Sequence, residues 1–380
     1  MSFSSFNLDP RLLRGVAGLG FTEPTPIQRD GIPPALEGRD LLACAMTGSG
    51  KTAAFALPIL QRLLGKKRGT TRALVLAPTR ELAAQIVEHF NGLGRHTGIK
   101  AAAVYGGVAM GPQERALRSG ADVIVACPGR LLDHFRRPYA RLADLEVLVL
   151  DEADRMLDMG FLPDIRRILK HLPPPAQTML FSATLPPPIR ELSRQMLRHP
   201  VALNVERPAA PATGVRHAVY QVRQEVKSAL LLGLLRGEAI ANALVFTRTK
   251  HRADRLAQFL LRQGIACERV HGNRSQAQRT EALAGFKKGR YRVLVATDIA
   301  ARGIDVEGLS HVVNFDVPRV PEDYIHRVGR TARAGATGEA LTFVSPEETN
   351  ELRAIERTVA KVLPRRTLDG FEPRARPRLW

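Results

Sequence analysis

Short unbroken apolar runs, separated by stretches of helical period, constrain this chain more than any other feature. "DLLACA", "RALVLAP", "ADVIVACP", "LEVLVLDEAD" and "TMLFSAT" are continuous in Val, Leu, Ile and Ala at their centres, without polar alternation. A strand with no polar face is covered on both sides, as in parallel sheets flanked by helices. Helical patterns fill the intervals: "TAAFALPILQRLL" after the first run, "RELAAQIVEHF" after the second, "GRLLDHF" after the third. A second series contains "HAVYQV", "NALVFTRT", "IACERVHG", "RVLVATD", "HVVNFDVP" and "EALTFVS". Between the two series lies "ERPAAPATG", Glu206–Gly214, rich in Pro and Ala and without period. The expected fold class is α/β, with two domains, each a mostly parallel sheet covered by helices on both faces. Their bounds are residues 1–207 and 217–364, with a linker at 208–216 and a basic tail at 365–380.

The 380 residues, 44% hydrophobic, suffice for two such cores. No apolar run approaches the ~18 residues needed to span a bilayer. The opening "MSFSSFNLDPRLL" lacks the basic-then-apolar order of a secretory leader. A soluble cytoplasmic monomer without membrane contacts is therefore expected. Cys44, Cys127 and Cys267 are too scattered to suggest a disulfide framework or a zinc site. The net charge of +19 draws the chain to polyanions. With no basic amphipathic helix to mark a membrane anchor, nucleic acid is the expected partner, bound in a salt-sensitive way.

"AMTGSGKT", Ala45 to Thr52, follows one apolar run and opens a helix. This is the phosphate-loop pattern in the context it needs. Gly48 and Gly50 let backbone N–H groups approach phosphate oxygens, and the helix N-terminus adds its dipole. The loop residues Ala45, Met46, Thr47, Gly48, Ser49, Gly50, Lys51 and Thr52 are the nucleotide candidates. Lys51 would reach the β- and γ-phosphates and Thr52 would place its hydroxyl on Mg²⁺. "VLVLDEAD" supplies a second element: Asp151, at the end of a buried strand, is placed to hold the metal, and Glu152 to orient and deprotonate an attacking water.

The order of these segments resembles the DEAD-box family of ATP-dependent RNA helicases, "DEAD" at Asp151–Asp154 being its naming motif. The resemblance spans roughly residues 3 to 365 and implies two RecA-like domains. A bacterial RhlE-type branch is the expected subgroup, from "LDMGFLPDIRRIL" and the short tail. "GFTEPTPIQ" resembles the family's adenine-recognition motif within an N-terminal segment, residues 3–31. It implies that Gln28 reads the adenine edge, Phe21 packs on its face and Phe6 supports the segment, favouring ATP over GTP. The resemblance assigns ribose to Asp305.

RNA contacts are implied at Pro78, Thr79 and Arg80 of "PTREL", at Gly106 and Gly107, and at Pro128, Gly129 and Arg130 of "CPGR". In the second series they are implied at Arg248 and Thr249, Gln276 and Arg279, and Thr297, Asp298 and Gly303. Phosphate and 2′-hydroxyl contacts would favour RNA over DNA without sequence preference. Cys127 stands where the family usually has Thr, and a thiol is the poorer donor.

"HRVGRTARAG" carries three arginines spaced by three. By periodicity alone they form a solvated basic face. The resemblance instead makes Arg330 and Arg333 the arginine fingers for the γ-phosphate and pairs Arg327 with the acidic motif. "FSAT" ends a strand on small hydroxyl residues, which either cap a turn or relay a signal. The resemblance favours relay, with Ser182 and Thr184 linking Asp154 to His326 and Arg327. The expected function is local ATP-dependent unwinding of short RNA duplexes or remodelling of RNA–protein complexes. An ATP-gated RNA clamp and a DNA helicase are the alternatives.

Overall fold

The unbroken apolar runs become strands buried on both faces. The computed structural model describes residues 2–45, 48–140, 142–204, 214–237, 240–301, 309–331 and 338–368. The chain divides into two compact units, Met1–Arg207 and Pro208–Trp380. In the first, the strands are β1 (Leu41–Cys44), β2 (Ala73–Leu76), β3 (Ala101–Val104), β4 (Val123–Ala126), β5 (Val147–Leu150), β6 (Gln177–Ser182) and β7 (Val201–Asn204). Every residue of β2, β4, β5 and β6 is buried. Successive side chains go to opposite sides. Val75 joins a core with Ile27, Phe55, Phe90 and Phe181, while Leu74 and Leu76 join another with Leu131, Met156, Ile165 and Ile189.

All pairings in this sheet are parallel, in the order β3-β4-β2-β5-β6-β1-β7. The second unit contains β8 (Val215–Gln221), β9 (Ala243–Thr247), β10 (Cys267–Val270), β11 (Val293–Thr297), β12 (His311–Asn314), β13 (Gly338–Val344) and β14 (Arg365–Arg366). Its order, β10-β11-β9-β12-β13-β8-β14, is the first order with seven added to each number, and it too is wholly parallel. The two units therefore repeat one topology. β8 starts inside the stretch expected as linker, and β14 takes the first two residues of the expected tail into the sheet. The expected linker residues 208–213 and the tail from 369 onward, with Trp380, lie outside the described residues. Among the described residues no helix is long and apolar enough to cross a membrane.

Buried polar side chains fix the strand ends of the first sheet. Asp40, before β1, accepts the backbone N–H of Thr178 at 2.7 Å and of Arg198 at 2.6 Å. Gln177 Nε2 donates to Ala35 O and Arg39 O, tying the end of the preceding helix to the start of β6. These bonds hold β6 and β7 in register on either side of β1, which carries the phosphate-loop sequence. Asp40→Ala would leave one buried and one part-buried donor without this acceptor. It is expected to cost roughly 3 kcal/mol and lower the melting temperature by about 6–12 °C. Calorimetry checks this, with Asp40→Asn, which keeps one acceptor, losing less.

Candidate functional site

Three neighbouring strands, β5, β6 and β1, deliver the expected nucleotide residues to one edge. Cys44 is level with Ser182, and Leu150 is level with Leu180, so the loops leaving these strands start side by side. The loop after β1 is held to its neighbour by Ala45 N donating to Ser182 O at 2.9 Å. Gly48 and Gly50 have φ of +85° and +92°, a region closed to most side chains. A Cβ on Gly50 would also come within 2.5 Å of Gln28 Nε2. Lys51 begins the helix Lys51–Leu63 and is buried. Its ammonium donates to Ala45 O at 3.0 Å and stands 3.9 Å from Asp151 Oδ1. Met46 and Thr47 lie outside the described residues.

Asp151 follows β5 and is 2% exposed. Burial pushes its carboxyl up to about 6, against the pull of the Lys51 charge and with a further push from Glu152. Glu152 adopts the left-handed conformation, φ 54° and ψ 53°, rare without glycine and worth about 1–2 kcal/mol of strain. Its Oε2 is 2.5 Å from Arg155 Nη1, both side chains being buried. Arg155, which the sequence reading overlooked, thus fixes Glu152; its position three residues on was the available signal.

Asp154 answers half of the question raised by "FSAT". Its Oδ2 accepts from Ala183 N, Thr184 N and Thr184 Oγ1 at 3.1, 2.8 and 3.0 Å. Its own N–H donates to Ser182 Oγ at 3.0 Å, and that hydroxyl donates to Thr184 O at 2.7 Å. The acidic loop and the end of β6 are one hydrogen-bonded body. Ser182 and Thr184 do more than cap their own turn.

Gln28 reaches the phosphate loop from the helix Pro26–Leu36. Its Oε1 accepts from Thr25 N at 2.9 Å and its Nε2 donates to Gly50 O at 3.0 Å. The half-buried Phe21 stacks on Phe3 at 6.3 Å, and Phe6 meets Phe3 edge-on at 5.9 Å. Phe6 therefore supports Phe21 through Phe3.

The other half of the same edge, β3-β4-β2, gathers the expected first-domain RNA residues. Thr79 caps the helix Arg80–Leu93 by accepting from Leu82 N, and Pro128 and Gly129 open the helix Pro128–Phe135 that bears Arg130. Gly107, at φ +78°, makes room for Arg80: a Cβ there would meet Nη1 at 1.9 Å. A Cβ on Gly106 would lie 3.7 Å from Arg80 Nη2 and 3.9 Å from Arg130 Nη2. Both guanidinium groups thus converge on the Gly106–Gly107 turn, and Arg130 Nη1 donates to Val108 O at 3.1 Å. Gln113, buried and not anticipated, shapes this turn. Its Oε1 accepts from Tyr105 N, and its Nε2 donates to Tyr105 O and Ala109 O. No local pattern marks it. Cys127, at the N-cap of Pro128–Phe135, makes no capping bond, and burial pushes its thiol up to about 12.

In the second unit, Arg248 and Thr249 follow β9, Thr297 and Asp298 follow β11, and Gln276 and Arg279 lie on the helix Gln276–Lys287. Thr249 caps the helix Lys250–Arg262 through Arg252 N. Arg327 is held within its own unit. Its Nε and Nη2 donate to both oxygens of Asp298, at 2.6 and 2.7 Å, and its Nη1 donates to Asn314 Oδ1 and Asp316 O. Asp298 holds Arg327 through both oxygens and remains 25% exposed. Arg327 and Arg330 are not part of a solvated face, being 2% and 5% exposed. His326 is half-buried in the same helix, Pro321–Val328. Gly303, Asp305 and Arg333 lie outside the described residues.

A phosphate loop, an acidic strand end and a parallel sheet, with a second unit of the same topology, define a two-unit P-loop ATPase. The DEAD/DEAH box helicase model matches residues 25–192, and the helicase conserved C-terminal domain model matches residues 226–335. The chain is 45% identical to the ATP-dependent RNA helicase CshA of Listeria monocytogenes over 94% of its own length and 69% of that relative's. It is 44% identical to the DEAD-box ATP-dependent RNA helicase CshA of Bacillus subtilis over 96% of its length and 74% of that relative's. Saccharomyces cerevisiae Dbp5 bound to RNA and ADP BeF3 superposes with a TM-score of 0.88 at 32% identity, covering 96% of this chain and 95% of that one. The chain belongs to the DEAD-box family of ATP-dependent RNA helicases, with two RecA-like domains.

Gly50→Ala would force a methyl group against Gln28 at a backbone angle alanine resists. It is expected to weaken ATP binding at least about tenfold. Titration with a fluorescent ATP analogue checks this.

Proposed function

We propose that this DEAD-box helicase uses ATP to open short RNA duplexes locally, gripping the backbone without reading sequence. One observation carries the reading: a single sheet edge brings the phosphate loop and acidic loop of β5-β6-β1 onto the same side as a two-arginine glycine turn on β3-β4-β2. The Dbp5 structure bound to RNA and ADP BeF3 supports it by likeness.

Lys51 would leave Ala45 O for the β- and γ-phosphates, and Gln28 would exchange Gly50 O for the adenine edge, with Phe21 on the ring. Asp151 suits a divalent cation. It is a buried carboxylate beside Glu152 at the phosphate-loop edge, with Lys51 Nζ 3.9 Å away. Among the described residues no cluster of three His, Cys, Asp or Glu could hold a metal alone, so phosphates and water would complete the ligands. Mg²⁺ held by Thr52 and Asp151 would neutralise phosphate charge. Glu152, held by Arg155, would orient the attacking water and take its proton. Arg330 and Arg333 of the second unit would stabilise charge on the γ-phosphate, an effect on the order of 10³–10⁵ in rate for such arginines.

Arg80 and Arg130 would hold RNA phosphates through charge-assisted bonds, with the bare turn at Gly106–Gly107 allowing close backbone approach. Thr79, Arg248, Thr249, Gln276 and Arg279 would extend the backbone contacts. The action is proposed for the cytoplasm, on ribosomal or messenger RNA–protein complexes, by a monomer. Strand displacement on a short RNA duplex tests the reading. ATP-dependent displacement is expected, with stimulation of hydrolysis by RNA over DNA. ATP-stable retention without displacement would mark a clamp instead.

Ser182→Ala with Thr184→Ala is expected to leave RNA-stimulated hydrolysis largely intact and to impair displacement, measured side by side. Equal loss of both would assign the hydroxyls to local structure. Cys127→Thr supplies the missing N-cap oxygen. It is expected to raise stability by about 1 kcal/mol and to keep or modestly tighten RNA affinity, read by melting and filter binding.

A further inference from the structure

Lys227 opens the helix Lys227–Gly237 that follows β8, the place Lys51 holds after β1 in the matching topology. There its surroundings are closed by the protein itself. The side chain is 0% exposed, and Nζ lies 2.9 Å from Phe315 O, 3.0 Å from Phe343 O and 2.5 Å from Glu348 Oε2. Three acceptors call for three N–H donors, so the group is an ammonium. Glu348 Oε2 also accepts from Ser345 N at 3.1 Å, while Oε1 accepts from Val317 N at 3.3 Å and Arg248 Nη2 at 3.1 Å. Four donors on two oxygens define an ionised carboxylate.

One acid between two cations leaves a single positive charge, and it lies at the outer end. Arg248 is 31% exposed, against 5% for Glu348 and 0% for Lys227. The neighbouring acid does not cancel it. Asp316 Oδ2 accepts from the Arg248 backbone N–H at 2.8 Å, but Oδ1 is paired with Arg252 at 2.7 Å. The guanidinium is held on one edge, Nη2 also donating to Val317 O at 3.2 Å. Its Nε has no acceptor among the described residues.

We propose that Lys227 is the counter-ion that keeps the charge of Arg248 available to an RNA phosphate, Glu348 being the arm that positions the guanidinium. This rests on the reading of Arg248 as an RNA contact. Without the buried ammonium, Glu348 would neutralise Arg248 directly. With it, the acid fixes the guanidinium without consuming its charge. Lys227 and Glu348 are positioning residues that never touch RNA.

The test is RNA affinity at several salt concentrations for four full-length chains: wild type, Arg248→Gln, Lys227→Met and Lys227→Met with Glu348→Gln. Lys227→Met is expected to weaken binding at least about fivefold and to lower the slope of log affinity against log salt by about 0.7, the loss of one phosphate contact. Arg248→Gln should do the same. The double variant, with Arg248 charged and unopposed, should recover most of both. If Arg248→Gln changes neither quantity, Arg248 is not an RNA contact and the proposal falls with that reading. If Arg248→Gln weakens binding while Lys227→Met keeps the wild-type slope, or the folded double variant does not recover, the counter-ion role alone is overturned. Should Lys227→Met not fold, Lys227→Gln, which keeps donors toward the carbonyl oxygens, takes its place. Failure of both to fold would assign the pair to stability and overturn the proposal.

Discussion

Parallel pairing puts every strand's C-terminal end on one edge of its sheet, and everything functional in this chain depends on that constraint. Each strand exits beside its neighbours, and the following helix begins there, with unpaired N–H groups facing the same way. Strand order then decides which loops meet. In the first unit β5, β6 and β1 are adjacent, so the acidic loop, the Ser-Ala-Thr turn and the phosphate loop share one place. β3, β4 and β2 are likewise adjacent, bringing together three segments separated by roughly 20–25 residues each.

The edge stays precise because its buried polar groups are bonded to one another rather than to water. Asp154 takes three donors from the end of β6, so movement of either loop disturbs the other. Glu152 is kept in a strained backbone conformation and held by Arg155. Gln113 plays the corresponding part on the other half, fixing a turn whose glycine has no side chain to anchor it. The second unit repeats the framework, but the lysine at the matching position is sealed by Glu348. The same topology thus carries a phosphate-loop sequence in one copy and a buried ion network in the other.

The fold class was legible because a strand covered on both faces cannot hide its composition: "VLVL" and "VIVA" contain no polar residue. The positions of Lys51 and Asp151 at strand ends were legible from strand–loop–helix context, while Arg80 and Arg130 were singled out only by the family resemblance. Gln113, Lys227 and Glu348 were not legible. Each acts on backbone or on a charge supplied by a distant segment, as Glu348 does on Lys227 across 121 positions, and local spacing carries no trace of such partners. The bidentate partner of Arg327 escaped the sequence reading for the same reason. That acid, Asp298, lies 29 positions away and was read as an RNA contact. The RhlE-type subgroup rested on two short stretches, and the relatives found at 44–45% identity bear the name CshA.

The central claim is that one sheet edge divides into a nucleotide half and an RNA half that can be damaged separately. The direct measurement is paired ATP and RNA affinities of the Arg80→Gln, Arg130→Gln double variant, each ligand titrated alone. RNA affinity is expected to fall at least about tenfold, with the salt slope reduced by roughly 1.4, while ATP affinity is unchanged. A parallel loss of ATP affinity, or RNA binding that keeps its strength and slope, would contradict the account.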